Sequence, residues 1–107
     1  MRTNQSDEEA WAALGEPSRR AIVLRLAEGP HAVVELADTL PLSRPAISQH
    51  LKVLKDAGLV AEHAEGTRRI YRLNEAGLSA LRDQLDTFWN RALSGFQDLA
   101  DQPKDKP

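Results

Sequence analysis

The feature that most constrains this chain is a short helical segment with one narrow apolar side and clear start and stop signals. Ser43 is a good N-cap residue, and Pro45 lies in the first turn, where its missing N–H costs nothing. Gly58 is typical of the position just after a helix end. At about 100° per residue, three apolar side chains fall in one arc that must face a core: Ile47, Leu51 and Leu54. The sequence therefore predicts a helix over 44–57 whose opposite side is polar.

The segments on both sides of this helix indicate the rest of the architecture. The predicted elements are helices over 8–14, 17–27, 33–40 and 44–57, β-rich runs over 59–63 and 69–73, and a long helix over about 75–100. Two short helices joined by a tight turn form a helix-turn-helix, and the following hairpin is a wing. We predict a mainly α fold with a β-hairpin wing, a winged helix-turn-helix. It is expected to be one domain over 1–107, ordered from about 7 to 101 and with flexible tails.

Composition excludes several classes of protein. The 107 residues include no cysteine, which rules out disulfides, thiolate metal sites and thiol redox chemistry. No run approaches the roughly 18 apolar residues of a membrane span, and the polar start lacks the pattern of a secretory signal. No nucleophile, base and orienting group stand at a recognisable spacing, and no Gly-rich phosphate loop is present. We expect a cytoplasmic protein that is not an enzyme, uses no cofactor and contacts no membrane.

Positive charge is concentrated in one part of the chain, although the net charge is −2. Residues 44–72 include six basic and three acidic residues, a net charge of +3. The remainder has eight basic and thirteen acidic residues, a net charge of −5. Because phosphates respond to the local field, a basic patch on an acidic body can bind DNA. Charge alone fits chance clustering on a solvated surface equally well.

The polar side of the helix over 44–57, here named the recognition helix, carries side chains that can read bases. Arg and Lys donate to guanine, Gln pairs with adenine, and Ser bonds to a base edge or a phosphate. The N-terminal turns of such a helix enter the major groove, and its first amides suit a phosphate. The residues predicted to bind DNA here are Ser43, Arg44, Pro45, Ser48, Gln49, His50, Lys52 and Lys55. For His50, on the flank of this face, packing or a structural hydrogen bond is the slightly favoured alternative.

The hairpin tip adds a second predicted contact with DNA. Thr67, Arg68 and Arg69 lie there, and cations on a protruding loop suit a minor groove or a phosphate ridge. Neighbouring strand residues point to opposite faces, so the two arginines are expected to differ in role, with Arg68 contacting DNA. The alternative for Arg69, and for Arg72, is an ion pair with Glu62 across the hairpin.

The last predicted helix carries more apolar surface than its place near the chain end requires. The residues predicted to form a dimer interface are Trp11, Leu14, Leu81, Leu85, Phe88, Trp89, Leu93 and Phe96. Large aromatic side chains far along the helix favour a two-fold homodimer, with recognition helices about 34 Å apart. Part of the stripe, near Leu78 and Leu81, is expected to pack on the chain's own core. A ligand pocket lined by Phe88, Trp89 and Phe96 is a third interpretation.

Several runs resemble the ArsR family of winged-helix repressors. The sequence LGEPSRR over 14–20 and IVLRL over 22–26 are similar to the opening of that family. The run SRPAISQHLKVLKDAGLV over 43–60 is a specific match, and GTRRIY over 66–71 resembles the family's wing. The resemblance covers about residues 10–95. It implies a homodimeric repressor that binds a palindromic operator in double-stranded DNA, often in its own promoter, and is released by a signal.

The resemblance also indicates which signals this chain lacks the residues to sense. In many relatives thiolates on the third helix hold a metal, and the matching positions here are Ala37 and Thr39. Another family site uses Asp and His on the last helix, whereas no histidine follows His63. His31, His50 and His63 lie on unrelated elements and indicate no other cluster. We expect no metal site and leave open an unknown small-molecule effector.

A rival function from another class is a dimeric interaction module on a winged scaffold that no longer contacts DNA. Four polar or basic side chains at the positions that would meet DNA argue against it: Ser48, Gln49, Lys52 and Arg68. The sequence therefore predicts a sequence-specific, DNA-binding transcriptional regulator.

Overall fold

The computed structural model describes residues 5–101. The predicted flexible tails lie outside the described residues, except Gln5 and Ser6, with which the first helix begins. In chain order the elements are α1 (Gln5–Leu14), α2 (Pro17–Leu26), β1 (His31–Ala32), α3 (Val33–Thr39), α4 (Arg44–Asp56), β2 (Val60–Glu65), β3 (Arg68–Leu73) and α5 (Glu75–Asp101). The pair α3–α4 followed by the β2–β3 hairpin confirms the predicted mainly α fold with a wing.

Hydrogen bonds to local side chains begin α2 and α4, and a glycine follows the end of α4. The Ser43 hydroxyl accepts the N–H of Ala46 at 3.2 Å, which confirms the predicted N-cap of α4. A carboxylate oxygen of Glu16 accepts the N–H of Ser18 at 2.7 Å at the start of α2. Beyond α4, Gly58 has a φ of 82°, a left-handed conformation that side-chain-bearing residues disfavour. These signals set where the recognition helix, α4, begins and ends.

The core is built around the apolar arc of α4. Ile47, Leu51 and Leu54 are each 0% exposed, as the sequence predicts. The other fully buried large side chains come from α2, α3 and the start of the hairpin: Ile22, Leu36 and Leu59. Burying an aliphatic side chain of this size stabilises a fold by about 1.5–3 kcal/mol. Rotation of α4 about its axis would expose three of these side chains, so the orientation of its polar face is fixed.

The sheet has one strand that the sequence did not predict. Strand β1 pairs antiparallel with β3, with His31 opposite Tyr71 and Ala32 opposite Ile70, which gives a three-stranded sheet in the order β1-β3-β2. Two residues are too few to show the alternating pattern from which a strand is predicted. The partner strand, and not local sequence, defines this element.

The hairpin is also longer and tighter than predicted. Glu65 pairs with Arg68, so the connection is two residues instead of the five over 64–68. Gly66, the first loop residue, has a φ of 63°, and Thr67 has no positive φ, which is the pattern of a type II′ turn. Glu65 belongs to β2 because it pairs with Arg68 across the hairpin, although glutamate has a low β propensity.

The last helix, α5, is packed only near its start. Leu78 and Leu81 are half-buried against the core, as predicted, and Trp11 Nε1 donates a hydrogen bond to Gln84 Oε1 at 3.1 Å. Every residue from Leu85 to Asp101 is exposed. Since a helix of 27 residues is about 40 Å long, most of α5 extends beyond the rest of the described chain.

Gly77 allows the start of α5 to approach the end of α4 closely. A Cβ atom added at Gly77 would overlap the carbonyl oxygen of Gly58, a backbone atom that cannot move without displacing the chain. Glycine at this position therefore sets how α5 meets the helix-turn-helix.

We expect Gly77→Ala to lower the free energy of unfolding by about 1–3 kcal/mol, because α5 must move off Gly58. Gly95→Ala is the matched control, since an added Cβ there meets nothing within 4 Å and alanine favours the helix by up to about 1 kcal/mol. Urea unfolding at one fixed protein concentration compares the two. Equal stabilities of the two variants would contradict the close approach.

Candidate nucleic-acid interface

The first two turns of α4 present an uncovered polar surface. Five of the residues predicted to bind DNA are exposed there: Ser43, Arg44, Pro45, Ser48 and Gln49. In the described part of the chain, the side chains of Arg44, Ser48 and Gln49 make no hydrogen bond or ion pair. The Ser43 hydroxyl accepts the capping bond but can still donate its own hydrogen to an acceptor. The start of α4 is therefore free to meet a ligand with hydrogen-bonding edges.

His50 lies on the flank of α4 and faces α2. Its Nε2 is 3.4 Å from Oε2 of Glu16, and its Nδ1 is 3.4 Å from Nη1 of Arg19. Arg19 also donates from Nε to the backbone oxygen of Ala13 at 2.7 Å. The His50 side chain is only 19% exposed. These contacts give His50 the structural hydrogen-bonding position that was the alternative to a phosphate contact, and they join α4 to the α1–α2 junction.

Both lysines of α4 are held by carboxylates. Lys52 Nζ lies 2.9 Å from Asp56 one turn later, and both side chains are largely exposed. Lys55 Nζ lies 2.6 Å from Oε1 of Glu62 on β2, and the Glu62 side chain is 16% exposed. The spacing of Lys52 and Asp56 is the ordinary i, i+4 pairing of a helix surface. The contact with Glu62 instead joins α4 to the wing.

The two arginines of the wing have different partners, as their alternation along β3 predicts. Arg68 Nη2 lies 3.4 Å from Oε2 of Glu35 on α3. Arg69 Nη1 lies 3.6 Å from Oε2 of Glu62, which is the cross-hairpin pair given as an alternative for Arg69. Thr67, at the tip, is exposed. Nothing in the sequence pattern pointed to the pair of Arg68 with Glu35, because it depends on how the wing packs beside α3.

Glu62 is a carboxylate held in its ionised form by three neighbouring side chains. The hydrogen bond from Lys55 lowers the pKa of Glu62, and a hydrogen bond from the Tyr71 hydroxyl and the nearby charge of Arg69 lower it further. Burial raises the pKa of Tyr71, and its bond to Glu62 raises it again. Tyr71 also packs against the core. Glu62 is therefore an ionised acceptor at neutral pH.

Glu35 is a second carboxylate that is held in its ionised form. The backbone N–H of Ala32 donates to Glu35 Oε1 at 2.7 Å, and this bond lowers the pKa of Glu35. The hydrogen bond and charge of Arg68 lower that pKa as well. The Glu35 side chain thus caps the N-terminus of α3 and also forms an ion pair with Arg68 of the wing.

The residues predicted to form a dimer interface fall into two groups. Leu14 and Leu81 are half-buried against the chain's own core. The exposed group comprises Trp11, Leu85, Phe88, Trp89, Leu93 and Phe96. Phe88, Trp89 and Phe96 are 63%, 57% and 72% exposed, so the pocket considered for them would need a second surface to close it. Leu99, at 68%, continues the same stripe and was not among the predicted interface residues.

Two further features are absent from the residues that the structure describes. In that part of the chain no three histidine, aspartate or glutamate side chains come together in a way that would hold a metal ion. No helix within the described range is long and apolar enough to cross a membrane.

Comparison with known proteins identifies the family. Residues 16–62, from the cap of α2 into β2, match the bacterial regulatory proteins of the arsR family. The HTH-type transcriptional regulator Rv2034 of Mycobacterium tuberculosis is 58% identical over 105 residues, 98% of each chain. The chain belongs to the ArsR family. It is a transcriptional regulator with a DNA-binding winged helix-turn-helix, and this confirms the expectation that it is not an enzyme.

Two more distant relatives also cover most of the chain. The transcriptional repressor SdpR of Bacillus subtilis is 32% identical over 89 residues, which are 83% of this chain and 96% of SdpR. The solution structure of the homodimeric winged helix-turn-helix DNA-binding domain of Mb0332 from Mycobacterium bovis has a TM-score of 0.67 and 27% identity. That likeness covers 85% of this chain and 84% of the Mb0332 fragment. The arrangement of α4 and the wing is therefore that of the ArsR regulators.

The stabilised Glu62 predicts how stability depends on pH. Because its pKa is lower in the folded state, Glu62 contributes stability above its unfolded pKa of about 4.3, and this is lost as pH falls through the folded pKa. We expect Glu62→Gln to be less stable than the native chain at pH 7 and the difference to narrow below about pH 4. Urea unfolding between pH 7 and pH 3 measures it. Glu65→Gln, whose carboxylate contacts only exposed His63, is the control and should show a smaller difference throughout. A gap for Glu62→Gln that stayed constant with pH would contradict this assignment.

Proposed function

We propose that this ArsR-family chain is a sequence-specific homodimeric repressor that acts in the cytoplasm and binds a palindromic operator, including one in its own promoter. The observation that carries the proposal is the uncovered start of α4, where polar side chains project opposite a completely buried apolar arc. Two relatives support it, since SdpR is a transcriptional repressor and the Mb0332 domain is homodimeric. Release by a small-molecule effector follows only from the family resemblance.

Each part of the candidate interface has a separate role in this proposal. Ser48 and Gln49, exposed and without internal partners, would reach base edges in the major groove. The start of α4, with Ser43 and Arg44, would meet a phosphate, since the Arg44 guanidinium and the positive end of the helix dipole favour an anion there. Arg68 and its neighbours on the wing would contact the backbone beside the groove. Base contacts then supply sequence preference, and phosphate contacts supply affinity and orientation.

Gln49→Ala should weaken preference for the operator, because a Gln that pairs with adenine is worth about 1–3 kcal/mol of discrimination. Arg68→Ala should weaken binding to every sequence by a similar factor and reduce the dependence on salt by about one phosphate contact. Titration of each variant with the upstream region of its own gene and with a random duplex of equal length separates the two effects.

The native chain in the same titration tests the proposed function itself. Sequence-specific regulation requires tighter binding to the operator than to the random duplex. Equal affinity for both would contradict sequence reading, and no affinity for either would favour the interaction module that does not contact DNA.

The apolar stripe of α5 supports the homodimer. Leu78 and Leu81 lie on the same side of the helix as Leu85 and Phe88, given about 100° per residue. The stripe is covered by the core at Leu78 and becomes exposed from Leu85 onward. A continuous apolar face that loses its cover partway along a helix marks an interaction site. A second copy would cover both stripes with one isologous interface.

We expect Trp89→Glu to convert the dimer to a monomer, because it places a charge in the centre of the exposed stripe. Asn90→Glu, at the next position and outside the stripe, introduces the same side chain and should leave the dimer intact. Sedimentation velocity of both variants at matched concentrations gives the oligomeric state. A Trp89→Glu variant that sediments as a full dimer would place the interface elsewhere.

A further inference from the structure

Much of the positive charge near the candidate DNA-binding surface is already neutralised within the chain. Of the six basic residues between 44 and 72, four make ion pairs with carboxylates of the same chain: Lys52, Lys55, Arg68 and Arg69. Arg44 and Arg72 have no ion pair within residues 8–101. The number of basic residues therefore overstates the charge that a DNA phosphate would meet.

Glu62 differs from the other carboxylates in this set. It holds two cations, and they come from two different DNA-facing elements, Lys55 from α4 and Arg69 from the wing. Its side chain is 16% exposed, whereas Asp56 and Glu35 are 61% and 47% exposed. Ion pairs between exposed groups contribute little because water and salt screen them. Glu62 is the least exposed carboxylate of the set, although the side chains of Lys55 and Arg69 are 48% and 65% exposed.

The position of Glu62 follows from the register of the hairpin. Glu62 lies directly opposite Tyr71, so Arg69 is its diagonal neighbour on the same face of the sheet. One carboxylate oxygen contacts Lys55 and the other contacts Arg69. Two anionic oxygens that bind two cations resemble, in chemistry, the phosphate that those cations would otherwise contact.

We propose that Glu62 is an internal substitute for a DNA phosphate, which limits the sequence-independent part of DNA affinity by holding Lys55 and Arg69. This inference rests on the proposed function, since it concerns the same DNA-binding surface. A phosphate that recruits Lys55 or Arg69 must take it from Glu62 and leave a shielded carboxylate without its partner. Affinity for arbitrary sequences is almost entirely electrostatic, so it is the quantity that Glu62 lowers.

Removal of the Glu62 charge tests the proposal. Glu62→Gln keeps the shape of the side chain and frees both cations, so its affinity for a random duplex should rise roughly threefold to tenfold. The slope of log affinity against log salt concentration should steepen by about 0.9 for each additional phosphate that a freed cation neutralises, and by at most about 1.8. Fluorescence anisotropy of a labelled random duplex, titrated with the full-length protein at four or more salt concentrations, gives both the affinity and the salt slope.

Glu65→Gln is the matched control for net charge. It removes the same charge from the same strand, closer to the wing tip, and its carboxylate contacts only exposed His63. If the effect came from the general field of the protein, Glu65→Gln would strengthen binding at least as much as Glu62→Gln. The proposal instead requires Glu62→Gln to have the larger effect on both affinity and salt slope.

A double-mutant cycle identifies the route of the effect. The increase in affinity from Glu62→Gln should shrink when Lys55→Gln or Arg69→Gln is already present, because the cation to be freed is absent. An equal increase in all backgrounds would overturn the proposal, as would unchanged or weaker binding by Glu62→Gln. Weaker binding would show that Glu62 orients its cations toward DNA. Should Glu62→Gln fail to fold, Glu62→Thr, which suits a strand, repeats the measurement.

The same titrations keep this proposal separate from the proposed function. If the native protein binds the operator no better than the random duplex, sequence-specific regulation is contradicted. The comparison of Glu62→Gln with Glu65→Gln on the random duplex still tests the role of Glu62. Native protein that discriminates, together with equal behaviour of the two variants, defeats the role of Glu62 alone.

Discussion

The rest of the structure depends on the burial of one arc of α4. Ile47, Leu51 and Leu54 are completely removed from solvent, and this determines which side of the helix faces outward. Because burial of an aliphatic side chain is worth about 1.5–3 kcal/mol, a rotation that exposed all three would cost an amount comparable with the whole stability of a small domain, about 5–15 kcal/mol. The cap at Ser43 and the left-handed Gly58 then limit the helix to the segment that carries this pattern. Exposure of Ser48 and Gln49 is thus a consequence of packing on the opposite side.

A second set of interactions concerns charge and links the elements around α4. Glu16 approaches His50, Glu35 approaches Arg68, and Glu62 binds both Lys55 and Arg69. Glu16 thereby joins the start of α2 to α4, Glu35 joins α3 to the wing, and Glu62 joins the wing to α4. The acidic body of the chain is therefore not simply a background to a basic patch. It supplies the partners that orient the patch and reduce its net field.

Much of this architecture was accessible from sequence, and the reasons for success and failure are physical. The arc of α4, its cap and Gly58 are local signals, so the helix and its exposed face were predictable. The pair of Lys55 with Glu62 joins a helix to a strand, and that of Arg68 with Glu35 joins the wing to α3. Such pairs depend on tertiary placement, which no periodicity encodes. Strand β1 was missed for the same reason, since only its pairing with β3 defines it.

The junction between α4 and α5 connects the helix proposed to bind DNA with the helix proposed to form the dimer. Gly77 of α5 lies against the carbonyl of Gly58, and the N–H of Asn74 donates to the backbone oxygen of Leu59 at 2.9 Å. The start of α5 thereby packs on the backbone of Gly58, just beyond α4, and is hydrogen-bonded to the backbone of Leu59, the next residue. Backbone contacts of this kind leave little room for adjustment by side-chain rotation. In the proposed dimer, the angle at which two α5 helices cross would therefore determine the distance between the two recognition helices. A change in that crossing would change DNA binding without any change in α4 itself, because a two-fold operator would require the recognition helices to lie about one turn of DNA apart.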